Sequence, residues 1–179
     1  MHISQNPIKM DAVSYYNSIK NSYEKLYSRE QENKIRFFLS KINIKSNDKI
    51  LDVGAGSGIL ESLLSENKIT ALEPSNMSDI IILKNLSNVS VIKETIQDFN
   101  PNDKFDVVFC ITVLQDIKEE ERDKVIKKLF SLTAENGHLI ISVLNVSKID
   151  LSSLNPVNSG YIENDRYFIF FKEGKSFLS

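Results

Sequence analysis

The sequence predicts an open α/β fold, a mostly parallel sheet with helices on both faces and one reversed strand. Three observations carry this. Short apolar runs alternate with segments of helical periodicity from residue 11 to about residue 145. Phe105-Asp-Val-Val-Phe-Cys-Ile111 is almost continuously apolar, as a central parallel strand covered on both faces should be. Ile50-Leu-Asp-Val-Gly-Ala-Gly-Ser-Gly58 runs from a strand into a glycine loop that opens a helix, the layout of a nucleotide-type cofactor site.

Each element follows from local pattern. Val13, Tyr16, Ile19, Tyr23, Leu26 and Tyr27 recur at helical spacing over residues 11–28 and place an aromatic stripe on one face. A second helix is expected at about 30–43, burying Ile35, Phe38, Leu39 and Ile42, and Ser46-Asn47-Asp48 stops it. Strand one is Lys49–Val53; the next helix starts inside the glycine loop and buries Ile59, Leu60, Leu63 and Leu64. Strand two covers 69–73, ended by Pro74, which cannot donate a ladder hydrogen bond. A helix over about 76–86 and a strand at Val89–Ile92 follow. Glu119–Glu121 marks a helix N-terminus, where negative charge is favoured, and that helix stops near Asn136-Gly137. His138–Leu144 is strand five. A short helix over 147–154 and strands at 157–163 and 166–171, joined by an Asn164-Asp165 turn, finish the chain.

The 179 residues are expected to form one domain: a helical extension (1–47), a central core (48–145) and a closing segment of short helix and hairpin (146–179). Hydrophobic content of 41% with 26% charged residues is that of a soluble globular protein. No apolar run approaches the ~20 residues of a membrane span, and the first ten residues lack a signal-peptide core. A single cysteine excludes an internal disulfide and leaves the cytoplasm as the default compartment. A net charge of −2 argues against a generally basic nucleic-acid-binding surface, although residues 1–50 carry a surplus of +4 and the remainder −6. His2 and His138 share no ligand spacing with Cys110 or with a carboxylate cluster, so no metal site is expected.

Glycine spacing narrows the cofactor. A dinucleotide fingerprint, G-x-G-x-x-G, would place its third glycine at 59, where the chain has Ile59. The glycines fall instead at 54, 56 and 58, preceded by Asp52, and Glu73 ends the second strand beside the first. This pattern resembles motif I of the class I S-adenosylmethionine-dependent methyltransferases. The resemblance implies a Rossmann-like seven-stranded methyltransferase sheet of order 3-2-1-4-5-7-6 with one antiparallel strand. It also implies S-adenosylmethionine as cofactor and in-line transfer of its methyl group. Asp52, Gly54, Ala55, Gly56, Gly58, Glu73 and Pro74 are the expected cofactor loop and its flank. The two oxygens of Glu73 are suited to accept from both ribose hydroxyls.

The remaining assignments rest on the same resemblance. Ile96-Gln97-Asp98-Phe99 is similar to a family segment that often reads Ala-Glu-Asp-Leu and meets the adenine; Gln97 here replaces its glutamate. Met77 lies either against the adenine face or in the helix core. Phe105–Ile117 is similar to the family's fourth strand and following loop, but Gln115 and Asp116 replace the two usual histidines. A general base there is therefore not histidine. Gln115 is placed to bond cofactor or substrate, while Asp116 is either a base or a helix-leading acid. The Cys110 carbonyl is placed to face the methionine ammonium, its thiol being a small buried group. Tyr16 and Tyr23 lie in a segment that resembles the lid helix of small ubiquinone/menaquinone-biosynthesis-type methyltransferases, where a tyrosine reaches the cofactor carboxylate; core packing is the competing role. Leu26–Gln31 and Ile141–Leu144 are also similar to small archaeal members of the superfamily. The catalytic residue stays open among Gln115, Asp116 and Tyr23. A small-molecule acceptor is preferred. The alternatives are RNA, a non-catalytic cofactor-binding protein, and an open site closed by a partner subunit or second copy.

Overall fold

The computed structural model describes residues 11–174, apart from the side chains of residues 20–27. Seven strands, β1 (Lys49–Val53), β2 (Lys68–Leu72), β3 (Val89–Ile92), β4 (Phe105–Ile111), β5 (Thr133–Leu144), β6 (Asn158–Ile162) and β7 (Asp165–Lys172), form one sheet. Their order is β3-β2-β1-β4-β5-β7-β6. Pairing is parallel except at β7, which runs antiparallel to both β5 and β6. This is the expected sheet, and its strand order reverses between β1 and β4, where open sheets bind ligands at their carboxyl edge. The helices are α1 (Ala12–Leu39), α2 (Ile59–Leu63), α3 (Ser78–Leu83) and α4 (Glu119–Leu132). One face buries Ile35 and Phe38 of α1 and Leu60 of α2 against Ile50, Phe109 and Ile140. The other buries Val125 and Leu129 of α4 with Val108, Ile141 and Phe168. Among the described residues no helix is long and apolar enough to cross a membrane.

The two expected N-terminal helices are one. The junction Ser28-Arg29-Glu30-Gln31 holds neither glycine nor proline. Ion pairs Glu30–Lys34 (2.7 Å) and Glu32–Arg36 (2.8 Å), each one turn apart, stitch the helix across it. Asp11 caps its start, Oδ1 accepting from the Ser14 amide at 3.0 Å. The predicted α2 and α3 are shorter than expected, and residues 147–154 hold only a 3₁₀ turn at Ser152–Leu154. The last long helix stops at Leu132, where the Thr133 hydroxyl donates to the Leu129 carbonyl at 2.9 Å. Asn136-Gly137 therefore lies inside β5, in an irregularity where Phe105 pairs with Thr133 but Val107 with His138.

The hairpin turn is shifted by one residue. Glu163-Asn164 makes it, with Glu163 at φ +49°, and Asp165 opens β7 instead. Asp165 and Lys34 are both 0% exposed. The Lys34 ammonium donates to Asp165 Oδ1 at 2.8 Å. Asp165 Oδ2 accepts from the Thr112 hydroxyl at 2.7 Å and the Ser142 hydroxyl at 2.6 Å. One carboxylate thus ties α1, β5 and the loop after β4 together. A buried charge so surrounded is tolerated because both oxygens accept hydrogen bonds, one of them from a cation.

A second buried pair has no cation of its own. Glu61 of α2 is 1% exposed and Asp52 of β1 is 6% exposed. The Glu61 carboxyl oxygens meet no donor in good geometry, so a proton shared with Asp52 makes the pair tenable. Burial raises the Asp52 carboxyl well above its usual range, with the charges of Glu61 and Glu73 adding to it. Burial also raises Glu61 to about 7, with Lys84 pulling in the opposite direction.

Two stability outcomes follow from these pairs. Lys34→Met strands the Asp165 charge and is expected to cost about 3–5 kcal/mol in denaturant unfolding; a loss under 1 kcal/mol would show the pair contributes nothing. For Glu61, the folded chain holds a proton that the unfolded chain releases near pH 4. Its stability contribution is complete below that pH and falls as pH rises toward about 7. Relative to Glu61→Gln, the wild type should lose roughly 3 kcal/mol between about pH 5 and pH 8. A pH-independent difference between the two proteins would contradict the shared proton.

Candidate cofactor site

At the carboxyl edge of β1, β2 and β4 a cavity of about 320 Å³ opens beneath the N-terminal turns of α1. Its floor is the glycine loop. The Gly54 and Ala55 amides donate back to the Leu72 carbonyl at 2.8 and 3.2 Å, folding the loop onto β2. Gly54 lines the cavity as expected, and a Cβ there would collide with the Val113 side chain, so this glycine also admits the loop after β4. Gly58, at φ +77°, starts α2 in the left-handed conformation and packs on Ile81; it does not line the cavity. Gly56, at φ +56°, also lines the cavity, and its amide donates to Glu73.

Glu73 lies one residue past β2 and is 6% exposed. Its Oε2 accepts from the Gly56 amide at 2.9 Å; its Oε1 accepts from the Ser75 amide at 2.9 Å and the Ser75 hydroxyl at 2.5 Å. The carboxylate therefore clamps the glycine loop to the turn after β2. Three of its roughly four acceptor positions are used by the chain, so the expected picture of two fully free oxygens is corrected: one lone pair on Oε2 stays open to the cavity.

Asp52, Ala55 and Pro74 line the cavity as expected, as do Ile96 and Gln97 at the β3 end. Gln97 turns its amide toward Glu121, donating to Oε2 at 3.2 Å. Tyr16 lines the roof, its hydroxyl donating to Asp116 Oδ2 at 3.3 Å. One residue on, Asn17 Oδ1 accepts from the Asn76 amide at 2.6 Å, so α1 touches both rims of the cleft. Asp116 also lines the wall; desolvation raises its carboxyl, against the pull of the Tyr16 hydroxyl.

Three residues of the expected cofactor set lie off the cavity, Met77 taking the core alternative and Cys110 having the buried thiol expected of it. Met77, 1% exposed, is a core residue and does not reach the cavity. Gln115 turns away from it: its amide donates to the Thr112 carbonyl at 2.5 Å and its Oε1 is buried without a partner. Cys110 is fully buried off the cavity, and burial pushes its thiol up. The side chain of Tyr23, like His2, lies outside the described residues. His138 packs at a tilt against Phe171, ring centroids 5.1 Å apart, and does not line the cleft.

Sequence reasoning missed four contributors. Thr112 lines the cavity at φ +58°, a left-handed conformation that costs a β-branched residue roughly 1–3 kcal/mol. Asp165 and the Ser142 carbonyl hold it there, the latter accepting from the Thr112 amide at 2.9 Å. Ser75, Glu94 and Glu121 complete the wall. Only Glu121 carried a signal, as part of the acidic first turn of α4.

The model of a family described as a methyltransferase domain matches residues 23–172. Ubiquinone biosynthesis O-methyltransferases are among the similar proteins: that of Vibrio vulnificus is 30% identical over 156 residues, covering 80% of this chain and 64% of its own length. That of Rickettsia typhi is 30% identical over 125 residues, covering 64% of this chain and 50% of its own. The chain thus spans about half to two-thirds of the length of these relatives. Among solved structures, a putative S-adenosyl-L-methionine-dependent methyltransferase from Methanococcus maripaludis superposes with a TM-score of 0.72 at 13% identity, over 99% of this chain and 100% of that one. Magnesium protoporphyrin IX methyltransferase from Synechocystis, with bound S-adenosylmethionine, gives 0.71 at 16% identity, over 90% and 95%. At these identities the structures establish the shared fold. With the family model spanning residues 23–172, the chain belongs to the methyltransferase-domain family, within the class I S-adenosylmethionine-dependent superfamily.

Proposed function

We propose that the chain binds S-adenosylmethionine in this cavity and transfers its methyl group to a small-molecule acceptor. The observation that carries the reading is Glu73: a buried carboxylate bonded to the Gly56 amide, with one lone pair left toward a cavity at the sheet's switch point. The family membership and the printed names of the relatives support it. When bound, the cofactor supplies an electrophilic methyl on a positively charged sulfur. The chain's own part is alignment and exclusion of water, so a dedicated base is optional.

In this reading Glu73 takes a ribose hydroxyl on its open lone pair, with Ser75 and Gly56 fixing its rotamer. Ile96 and Gln97 flank the adenine and Tyr16 covers the methionine end. The amides of Gly54, Ala55 and Gly56 are taken by Leu72 and Glu73, and α2 with its five residues offers little dipole, so the loop serves the ligand as a close-fitting floor rather than as a set of donors. RNA is the weaker acceptor: the cavity wall is acidic, and a phosphate backbone is repelled by it. A cytoplasmic location belongs to the same proposal.

Calorimetric titration with S-adenosylmethionine should give saturable binding, and its absence would remove the proposal. Glu73→Ala should weaken that binding by roughly 1.5–3 kcal/mol, about ten- to a hundredfold, whereas Glu73→Gln keeps an acceptor for the loop and should lose less. Gly56→Val, strained at φ +56° and filling the cavity floor, should abolish binding while leaving a cooperative thermal unfolding transition. Wild-type affinity in Glu73→Ala and Gly56→Val would mean that the pocket is misplaced. Transfer of a radiolabelled methyl group to small-molecule rather than RNA pools separates the acceptors, and no transfer by cofactor-loaded protein would identify a non-catalytic binder.

A further inference from the structure

Among the described residues the cavity wall carries Asp11, Asp52, Glu73, Glu94, Asp116 and Glu121 against a single basic residue, Lys118. Lys118 is exposed at the N-terminus of α4, where the helix continues with Glu119, Glu120 and Glu121. Among the described residues the cavity lining offers neither arginine nor histidine. Asp52 and Glu73 are accounted for by Glu61 and by the glycine loop. Glu94 and Glu121 stand at the β3 end, beside Gln97.

Asp116 stands apart. It follows β4, on the side of the glycine loop away from β2 and β3, where Ile35, Ile111 and Thr112 form an otherwise apolar or neutral wall. Its carboxylate has one polar contact, the long 3.3 Å bond from the Tyr16 hydroxyl, and no ion pair among the described residues. Thr112 beneath it cannot drift, being pinned by Asp165 and Ser142. A carboxylate at the cavity mouth with a single long hydrogen bond, above a fixed wall, suits a group that brings or gains positive charge.

We infer that the methyl acceptor is an amine on a small molecule, anchored by Asp116 at the β4 end of the cavity. The inference rests on the proposed methyl transfer and names its acceptor class. The amine enters, loses its proton to solvent water, and attacks as the free base. Its nitrogen lone pair forms the N–C bond as the C–S bond breaks, and the C–S pair stays on sulfur. Positive charge thus leaves the sulfur and arrives on the nitrogen. A carboxylate beside that nitrogen favours the transition state, because the charge moves toward it. An acceptor already ionised as a carboxylate or phenolate would find Lys118 as its one cation among the described lining residues, against six carboxyl groups, and would be disfavoured. The amine displaces the Tyr16 hydroxyl, whose long bond is readily exchanged for a charge-assisted one.

The test uses the full chain saturated with S-adenosylhomocysteine and three probes of similar size: benzylamine, benzoate and phenol. Saturation is measured first; failure of S-adenosylhomocysteine to bind counts against the proposed function, not against the acceptor class. In the loaded protein benzylamine should bind at least tenfold more tightly than benzoate or phenol, and Asp116→Asn should reduce that preference to less than threefold. Asp116 sits on an exposed turn, and a melting curve checks that the variant folds; Asp116→Glu should retain the preference. Equal or tighter binding of benzoate or phenol, retention of none of the probes, or a preference unchanged in Asp116→Asn would each overturn the inference. With S-adenosylmethionine and amine, phenol and carboxylate pools, label should appear on nitrogen; label confined to oxygen would overturn it equally.

Discussion

Four carboxyl groups are buried around the carboxyl edge of one sheet, and the rest of the structure depends on how each is tolerated. A bare carboxylate removed from water is costly enough that it must be paired, bonded or protonated. Asp165 is paired with Lys34, Glu73 is bonded to the Gly56 and Ser75 amides, and burial raises the carboxyls of Asp52 and Glu61 toward their protonated forms. These three solutions set three parts of the site: the pinned Thr112 wall, the folded glycine loop and the join between α2 and β1. A loop of glycines alone would be floppy. Glu73 converts it into a fixed surface by accepting one amide from its middle.

The sheet and the glycine loop were legible in the sequence because they rest on local signals. Apolar runs at Ile50–Val53 and Phe105–Ile111, broken by glycine or proline, announce strands without knowledge of the partner. Glu73 was legible for the same reason: it lies at a fixed place after a strand that proline must end. Helix ends were harder. The expected break near Glu30 did not occur because i,i+4 ion pairs are as consistent with a continuing helix as with two capped ones. The Asn136-Gly137 stop was misplaced because Asn and Gly serve equally in a strand irregularity and after a helix.

What the sequence hid was chemistry at long range. Lys34 reads as a solvated lysine until β7, 131 residues later, brings Asp165 to it. Asp165 itself reads as a turn residue, since Asn-Asp pairs favour turns, and a one-residue shift moved it from the surface into the core. Glu61 reads as the polar side of a short helix. Gln115 was overvalued because the resemblance placed histidine at its position. The histidine's place in the chain was inherited, but the side chain that occupies it bonds the Thr112 carbonyl and faces away from the cleft.

The N-terminal helix links these points to function. Its C-terminal half is fixed to the sheet by Ile35, Phe38 and the buried Lys34, with Phe37 and Phe38 edge-on to Tyr167 at 5.2 and 5.6 Å. Its first turns meet the rest of the chain through contacts that include the Tyr16–Asp116 and Asn17–Asn76 bonds, both exposed. Exposed hydrogen bonds contribute little net stability, of the order of 1 kcal/mol each, whereas the buried half contributes several through apolar burial. The buried half therefore anchors the helix, and with it the wall of the cavity. Lys34 holds Asp165, and Asp165 holds Thr112, so one anchor fixes both the helix and the wall beneath it. A wall fixed in this way is what alignment of a methyl donor with an incoming nucleophile requires.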